Sequence, residues 1–304
     1  MKATASRTKD EQVPPSGGEV VPIRQGAVPA PADVAELLES TAGQGVSTLQ
    51  EDNLVPLVYV LQAQSPQTLK RNPAYIDGAE AGGIWLRNAA DPVVPGDEGI
   101  LFQPCYFSKD VVEWKWPREV GSQGGFIGRH DFREGEDITA LAERLGAEKK
   151  VDPRNPNTFS WVIDGKSELI ETRYHTGFVI REGHNPAPFV IPLSSTGHTF
   201  SRTWMFKMNQ KLTPSRKIAA SYAYLYRLKT VFKSNASGEW YMFDVDDGTP
   251  VWVHYSDPND YQEALLRGRD LAVAFESGAK QAAAPDESAA GRSAPDTTAA
   301  EQAI

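Results

Sequence analysis

From Leu54 to Leu61 the chain reads LVPLVYVL, an apolar run of strand length, and ordered structure is expected to begin there. Ile84-Trp85-Leu86, after Gly82-Gly83, reads as a strand ending in a turn. Gly99–Glu119 is the most strand-like stretch of the first half. Val112, Trp114 and Trp116 fall on one of its faces, Glu113 and Lys115 on the other. A short strand is expected at Phe126-Ile127-Gly128. Ile138, Leu141 and Leu145 recur at helical spacing, and the charges and prolines up to Pro156 read as an excursion from the sheet. Phe159–Ile180 returns to strands, divided by Asp164-Gly165, a pair suited to a tight hairpin turn.

In the second half, Phe189–Leu193 reads as a strand that Pro192 places at an edge or an end. Ser194, Ser195 and Thr196 are natural N-caps for a helix over Gly197–Leu212. Its apolar stripe would carry Phe200, Trp204, Met208 and Leu212, and Thr213-Pro214 would end it. A long strand is expected over Ile218–Phe232, partnered by Glu239–Val245 and then by Val251–Tyr255 in a three-stranded meander. Asp257-Pro258-Asn259 starts a last helix reaching about Glu276, with Tyr261, Leu265, Ala272 and Phe275 inward. The pattern is that of a β-rich α+β protein with antiparallel strands. Residues 1–50 and 278–304, rich in Ala, Pro, Ser and charge, are expected to be disordered, leaving a single domain over 51–277.

Charge changes this picture more than size does. The 304 residues carry a net charge of -9, yet Gly183–Gly238 contains no Asp or Glu, eight Lys or Arg and eight aromatic residues. The rest of the chain holds 23 basic against 40 acidic residues. An acidic body of this kind repels polyanions everywhere except at one permitted surface. A single cysteine, Cys105, rules out a disulfide within the chain and suits a reducing cytoplasm. The N-terminus has no apolar signal, and no apolar run reaches membrane-spanning length, so no membrane association is expected.

Catalytic motifs are weak. There is neither a phosphate-binding G-x-x-x-x-G-K-[ST] nor a G-x-G-x-x-G loop. The five His residues show no metal-ligand spacing, and no metal or cofactor is expected. His130-Asp131 is the residue pair on which a metal-dependent hydrolase would have to rest. Asp244-Val245-Asp246-Asp247-Gly248 resembles a calcium loop only at its start, since Tyr255 stands where the bidentate Glu belongs.

Cations with interleaved rings fit unpaired nucleic acid better. Phosphates attract the cations, and bases stack on rings without sequence preference. No helix-turn-helix, zinc finger or basic zipper is present to read a duplex. The stacking candidates are Trp114, Trp116, Tyr222, Tyr224 and Trp240. The phosphate candidates are Lys115, Arg118, Arg216, Lys217, Arg227, Lys229 and Lys233.

Four stretches, LVPLVYVLQAQSP, VVEWKWPRE, VIPLSSTG and YRLKTVFKSNASGEWY, together resemble bacteriophage-encoded single-stranded DNA-binding proteins over residues 54–255. The resemblance implies an OB-like antiparallel barrel with one packed helix and a role in phage replication or recombination. Single-stranded DNA is then the expected partner. Replication or recombination proteins would meet the mildly acidic tail, and a homo-oligomer is compatible with this reading. The competing expectation is a structural or adaptor protein of virion assembly whose basic window faces an acidic partner.

Overall fold

The computed structural model describes residues 54–115, 125–152, 155–235, 238–255 and 257–285. All of them belong to the unit Ser47–Ile304. The expectations for residues 1–50 and 286–304, and for Trp116 and Arg118, fall outside the described residues.

The strands in chain order are β1 (Leu54–Val55), β2 (Val58–Val60), β3 (Ile84–Leu86), β4 (Val93–Val94), β5 (Ile100–Lys115) and β6 (Phe126–Asp131). After the helix α1 (Ile138–Arg144) come β7 (Glu148–Asp152), β8 (Asn155–Ile163), β9 (Ser167–Ile180) and β10 (Ala187–Ser194). The helix α2 (Gly197–Asn209) leads to β11 (Tyr224–Asn235), β12 (Gly238–Val245) and β13 (Thr249–Pro250). The single turn α3 (Val251–His254), the long helix α4 (Pro258–Glu276) and β14 (Gln281–Ala282) complete the order.

β5 and β9 form the spine. They pair antiparallel from Leu101↔Ile180 to Lys115↔Ser167, with a register shift between Pro104 and Tyr106. The other edge of β5 is shared: β11 takes Ile100–Phe102 and β6 takes Asp110–Trp114. The far edge of β9 is shared by β8 and β10. The hairpin joining β8 to β9 turns as its sequence predicts. Asp164 and Gly165 both adopt positive φ, 50° and 67°, which matches the right-handed twist of the flanking strands.

The sheet is covered on both faces. On one, Ile100, Phe102, Val179, Tyr226 and Leu228 pack against Phe200, Trp204 and Met208 of α2. On the other, Cys105 and Phe178 meet Leu271 of α4, and Leu225 meets Val251 and Ala264. Burial pushes the Cys105 thiol up to about 12, so it stays protonated and serves as core. His175, fully buried under α2, stacks on Trp204 with ring centroids 4.5 Å apart and meets the Ser201 hydroxyl at 2.8 Å.

Several expectations are corrected. The described strands do not close a barrel: the main sheet runs β12-β11-β5-β9-β8-β7 and remains open. Its β12 edge is occupied by a side chain. The Gln62 amide accepts from Tyr241 N and donates to Tyr241 O, both at 2.8 Å, where a closing strand would bind. Two long helices pack on the sheet, not one. Residues 148–152 form an edge strand, whose charges are those that blunt an edge. Val251–His254 is helical: the β13 ladder ends at Pro250, which has no N–H to donate to it and stands directly before the first helical residue. Leu212 lies beyond the end of α2 and is exposed. Residues 278–285, expected as the start of a disordered tail, are placed. β14 pairs parallel with β1, and Arg129 and Arg87 donate to the Ala283 and Ala284 carbonyls.

Candidate nucleic-acid interface

β11 carries the cations because of its alternation. Tyr226 and Leu228 point into the α2-side core, so Arg227 and Lys229 point the other way. There α3 and α4 cover only Leu225, and Arg227, Lys229 and Lys233 are exposed. Residues directly opposed in the ladder share a face. The cationic face therefore also carries Met242 opposite Val231, Trp240 opposite Lys233, and Asp244 opposite Lys229. The Trp240 indole N–H is buried and has no hydrogen-bond partner.

Arg227 is held in place. Its backbone N–H donates to Asp246 Oδ1 at 3.1 Å and its guanidinium donates to Glu98 O at 3.2 Å. The same Asp246 carboxylate accepts from Gly248 N, so the segment that resembled a calcium loop is a turn closed by its own aspartate. At the start of β11, Tyr224 meets Trp252 edge to face at 6.1 Å, and Lys211 Nζ lies 5.4 Å above the Tyr224 ring. Partial burial, with the charge of Arg227 adding to it, holds the imidazole of His254 in α3 below the usual range. Arg227, Lys229 and Lys233 thus share one face of β11 with Trp240 of β12, whereas Tyr224, which Trp252 of α3 meets, belongs by alternation to the α2-side face at the start of the strand. The span of β11 from Tyr224 to Lys233 is roughly 30 Å at the usual rise per residue.

The other candidates are placed elsewhere. Trp114 is 7% exposed, packed edge to face on Phe126 at 6.0 Å, and cannot offer a face to a base. Lys115 is exposed, but Trp114 and Leu101 are 13 residues apart on β5, and Leu101 is the register partner of Arg227. That puts the two predicted basic–aromatic segments at opposite ends of β5, roughly 40 Å apart along the strand. Tyr222 is half-buried beside Cys105 and Leu271. Arg216 and Lys217 are exposed on the turn between α2 and β11. Three rings outside the predicted set are open to solvent among the described residues: Phe206 is 65%, Phe232 51% and Trp252 50% exposed. The strand-like neighbours Val251 and Val253 hide Trp252 in the sequence, and Phe232 is the last residue of the strand expected over Ile218–Phe232, where alternation does not tell whether anything covers it.

His130 does not face Asp131 for joint chemistry. Its Nε2 pairs with Glu113 Oε2 at 2.8 Å, and Ser167 Oγ donates to the other oxygen of the same carboxylate. Among the described residues there is no group of three His, Cys, Asp or Glu side chains that could hold a metal ion. No described helix is long and apolar enough to cross a membrane.

No curated protein and no solved structure matches the chain. A family model described as Pam3 phage gp34-like protein matches residues 24–277, most of the sequence. The chain belongs to this Pam3 phage gp34-like family.

Proposed function

We propose that the protein binds single-stranded DNA without sequence preference along β11 and acts in phage DNA replication or recombination. The observation that carries this reading is the shared face on which Arg227, Lys229 and Lys233 are exposed while Trp240 stands across from Lys233. Arg227 and Lys229 lie about 6.6 Å apart and Lys229 and Lys233 about 13 Å apart, one and two strand repeats, spacings that an extended strand's phosphates can meet. Trp240 and Trp252 supply flat surfaces near the two ends. Each stacked base adds about 1–3 kcal/mol without regard to its identity. The family name ties the chain to a phage protein. A barrel is not required: an open sheet with an OB-like use of one strand face serves the same purpose. Ultraviolet cross-linking to a thymine oligonucleotide, followed by peptide mapping, tests it. Cross-links are expected in 224–245 and 251–255, whereas cross-links confined to other peptides would overturn the placement.

A second reading, a structural or adaptor component of assembly, is favoured by the exposed apolar residues Phe206, Leu212, Ile218 and Val253. Patches of this kind mark protein contacts. Such a protein shows no salt-dependent oligonucleotide binding, which separates the two readings.

A further inference from the structure

Between α2 and β11 the chain makes a rigid turn that the β11 track does not use. Thr213 N donates to Lys217 O and Arg216 N to Thr213 O, both at 2.8 Å, and Lys217 N donates to Thr213 Oγ1 at 3.2 Å. Leu212 and Ile218 bridge the base of the turn and are 52% and 63% exposed. Arg216 is held at φ 61°, a region that costs a non-glycine residue about 1 kcal/mol or more and is kept where surroundings impose it. Arg216 and Lys217 make no ion pair among the described residues. The result is a preformed basic tip on an apolar base.

The other end of β11 has the opposite character. A cleft of about 460 Å³ opens beside Thr230 and Tyr241. Asp77, Glu80 and Asp97 line it and are exposed, and none makes an ion pair among the described residues. Its walls are the backbones of Gly82, Gly83 and Gly96, which keep it open. A side chain at Gly82 would collide with the Tyr241 ring at 2.7 Å.

We infer that the basic turn of one copy seats in the acidic cleft of the next. The turn ends at Ile218 and leads to Tyr224, and the cleft begins at Thr230, six residues farther along β11. That is roughly 20 Å of strand, so a chain's own turn cannot fill its own cleft. The two surfaces differ, so the contact is heterologous and does not close on itself as a two-fold dimer would. It adds copies head to tail. On the reading of β11 as the nucleic-acid track, it also sets the Lys233 end of one track beside the Tyr224 end of the next, which favours cooperative filling of a strand. The contact itself does not depend on that reading.

Sedimentation velocity of the full chain without nucleic acid, at low salt and rising concentration, tests the contact. The wild type is expected to associate. R216E/K217E and D77K/D97K are each expected to raise the self-dissociation constant about tenfold or more, and a 1:1 mixture of the two to associate again, through the native turn in the native cleft and the reversed turn in the reversed cleft. A wild type that stays monomeric, variants that associate like the wild type, or a mixture that does not recombine would overturn the inference. R216Q/K217Q and D77N/D97N repeat the test with milder changes if charge reversal unfolds the chain. An eight-nucleotide thymine oligomer separates the two layers. D77N/D97N should bind it as the wild type does, yet lose cooperativity on poly(dT). A protein that associates but ignores the oligomer keeps the contact and loses only the track. If R216Q/K217Q weakens oligomer binding and leaves association intact, the turn belongs to the nucleic acid and the contact is wrong.

Discussion

Lys233 and Trp240 face each other across the β11–β12 ladder, side by side on the sheet face that also carries Arg227 and Lys229. An ammonium beside an indole is the pairing that a phosphate and its base require.

Trp240→Ala should weaken binding to a thymine oligonucleotide by about 1–3 kcal/mol. Lys233→Ala should weaken it less and reduce its salt dependence. Fluorescence anisotropy at two salt concentrations measures both. Trp252→Ala should lose affinity at little cost in stability, because the ring is half exposed.

His175 gives a stability effect with a defined sign. Burial, with Arg173 adding its charge, holds its imidazole down at about 3. An unfolded His takes its proton near 6.5. Below that pH the unfolded chain binds a proton that the fold refuses. The contribution is therefore intact above pH 6.5 and shrinks by about 1.4 kcal/mol per pH unit down to about 3. His175→Gln should flatten the fall in stability between pH 6 and 4, read from urea midpoints of the two proteins at each pH.

Much of the local structure was legible in the sequence, and its failures have physical causes. Alternation gave β5, β9 and the two faces of β11 correctly, and Asp164-Gly165 and Asp257-Pro258 marked the hairpin and the α4 cap. Alternation cannot say which face is covered when both are. Trp114 was assigned to the right face of β5, but that face is closed by Tyr59, Trp85 and β14. The charge-rich 148–152 segment read as a loop because an edge strand has one solvated side. Trp252 escaped notice because Val-Trp-Val alternates like a strand, and only the position of Pro250 marks the helical turn.

Gly268 is required by packing. A Cβ there would stand 2.6 Å from Tyr222 Cβ and 3.3 Å from Gln103 Nε2, the amide that donates to Tyr222 O and Ala264 O. Gly268→Ala should therefore destabilise by about 1–3 kcal/mol, despite the gain of about 1 kcal/mol that alanine brings to a helix interior. Thermal unfolding measures the difference.

Gln62→Ala removes both bonds to the Tyr241 backbone and uncovers the β12 edge. A loss of about 1–3 kcal/mol in urea unfolding is expected, and an open edge invites strand pairing between molecules.

Titration of intrinsic tryptophan fluorescence with poly(dT), repeated from low to moderate salt and against duplex DNA, tests the β11 track most directly. Three cations on phosphates predict a log–log salt slope of roughly -2, preference for the single strand, and a slope flattened by Arg227→Ala with Lys229→Ala and Lys233→Ala. No quenching at low salt, or binding whose slope survives loss of all three cations, would contradict it.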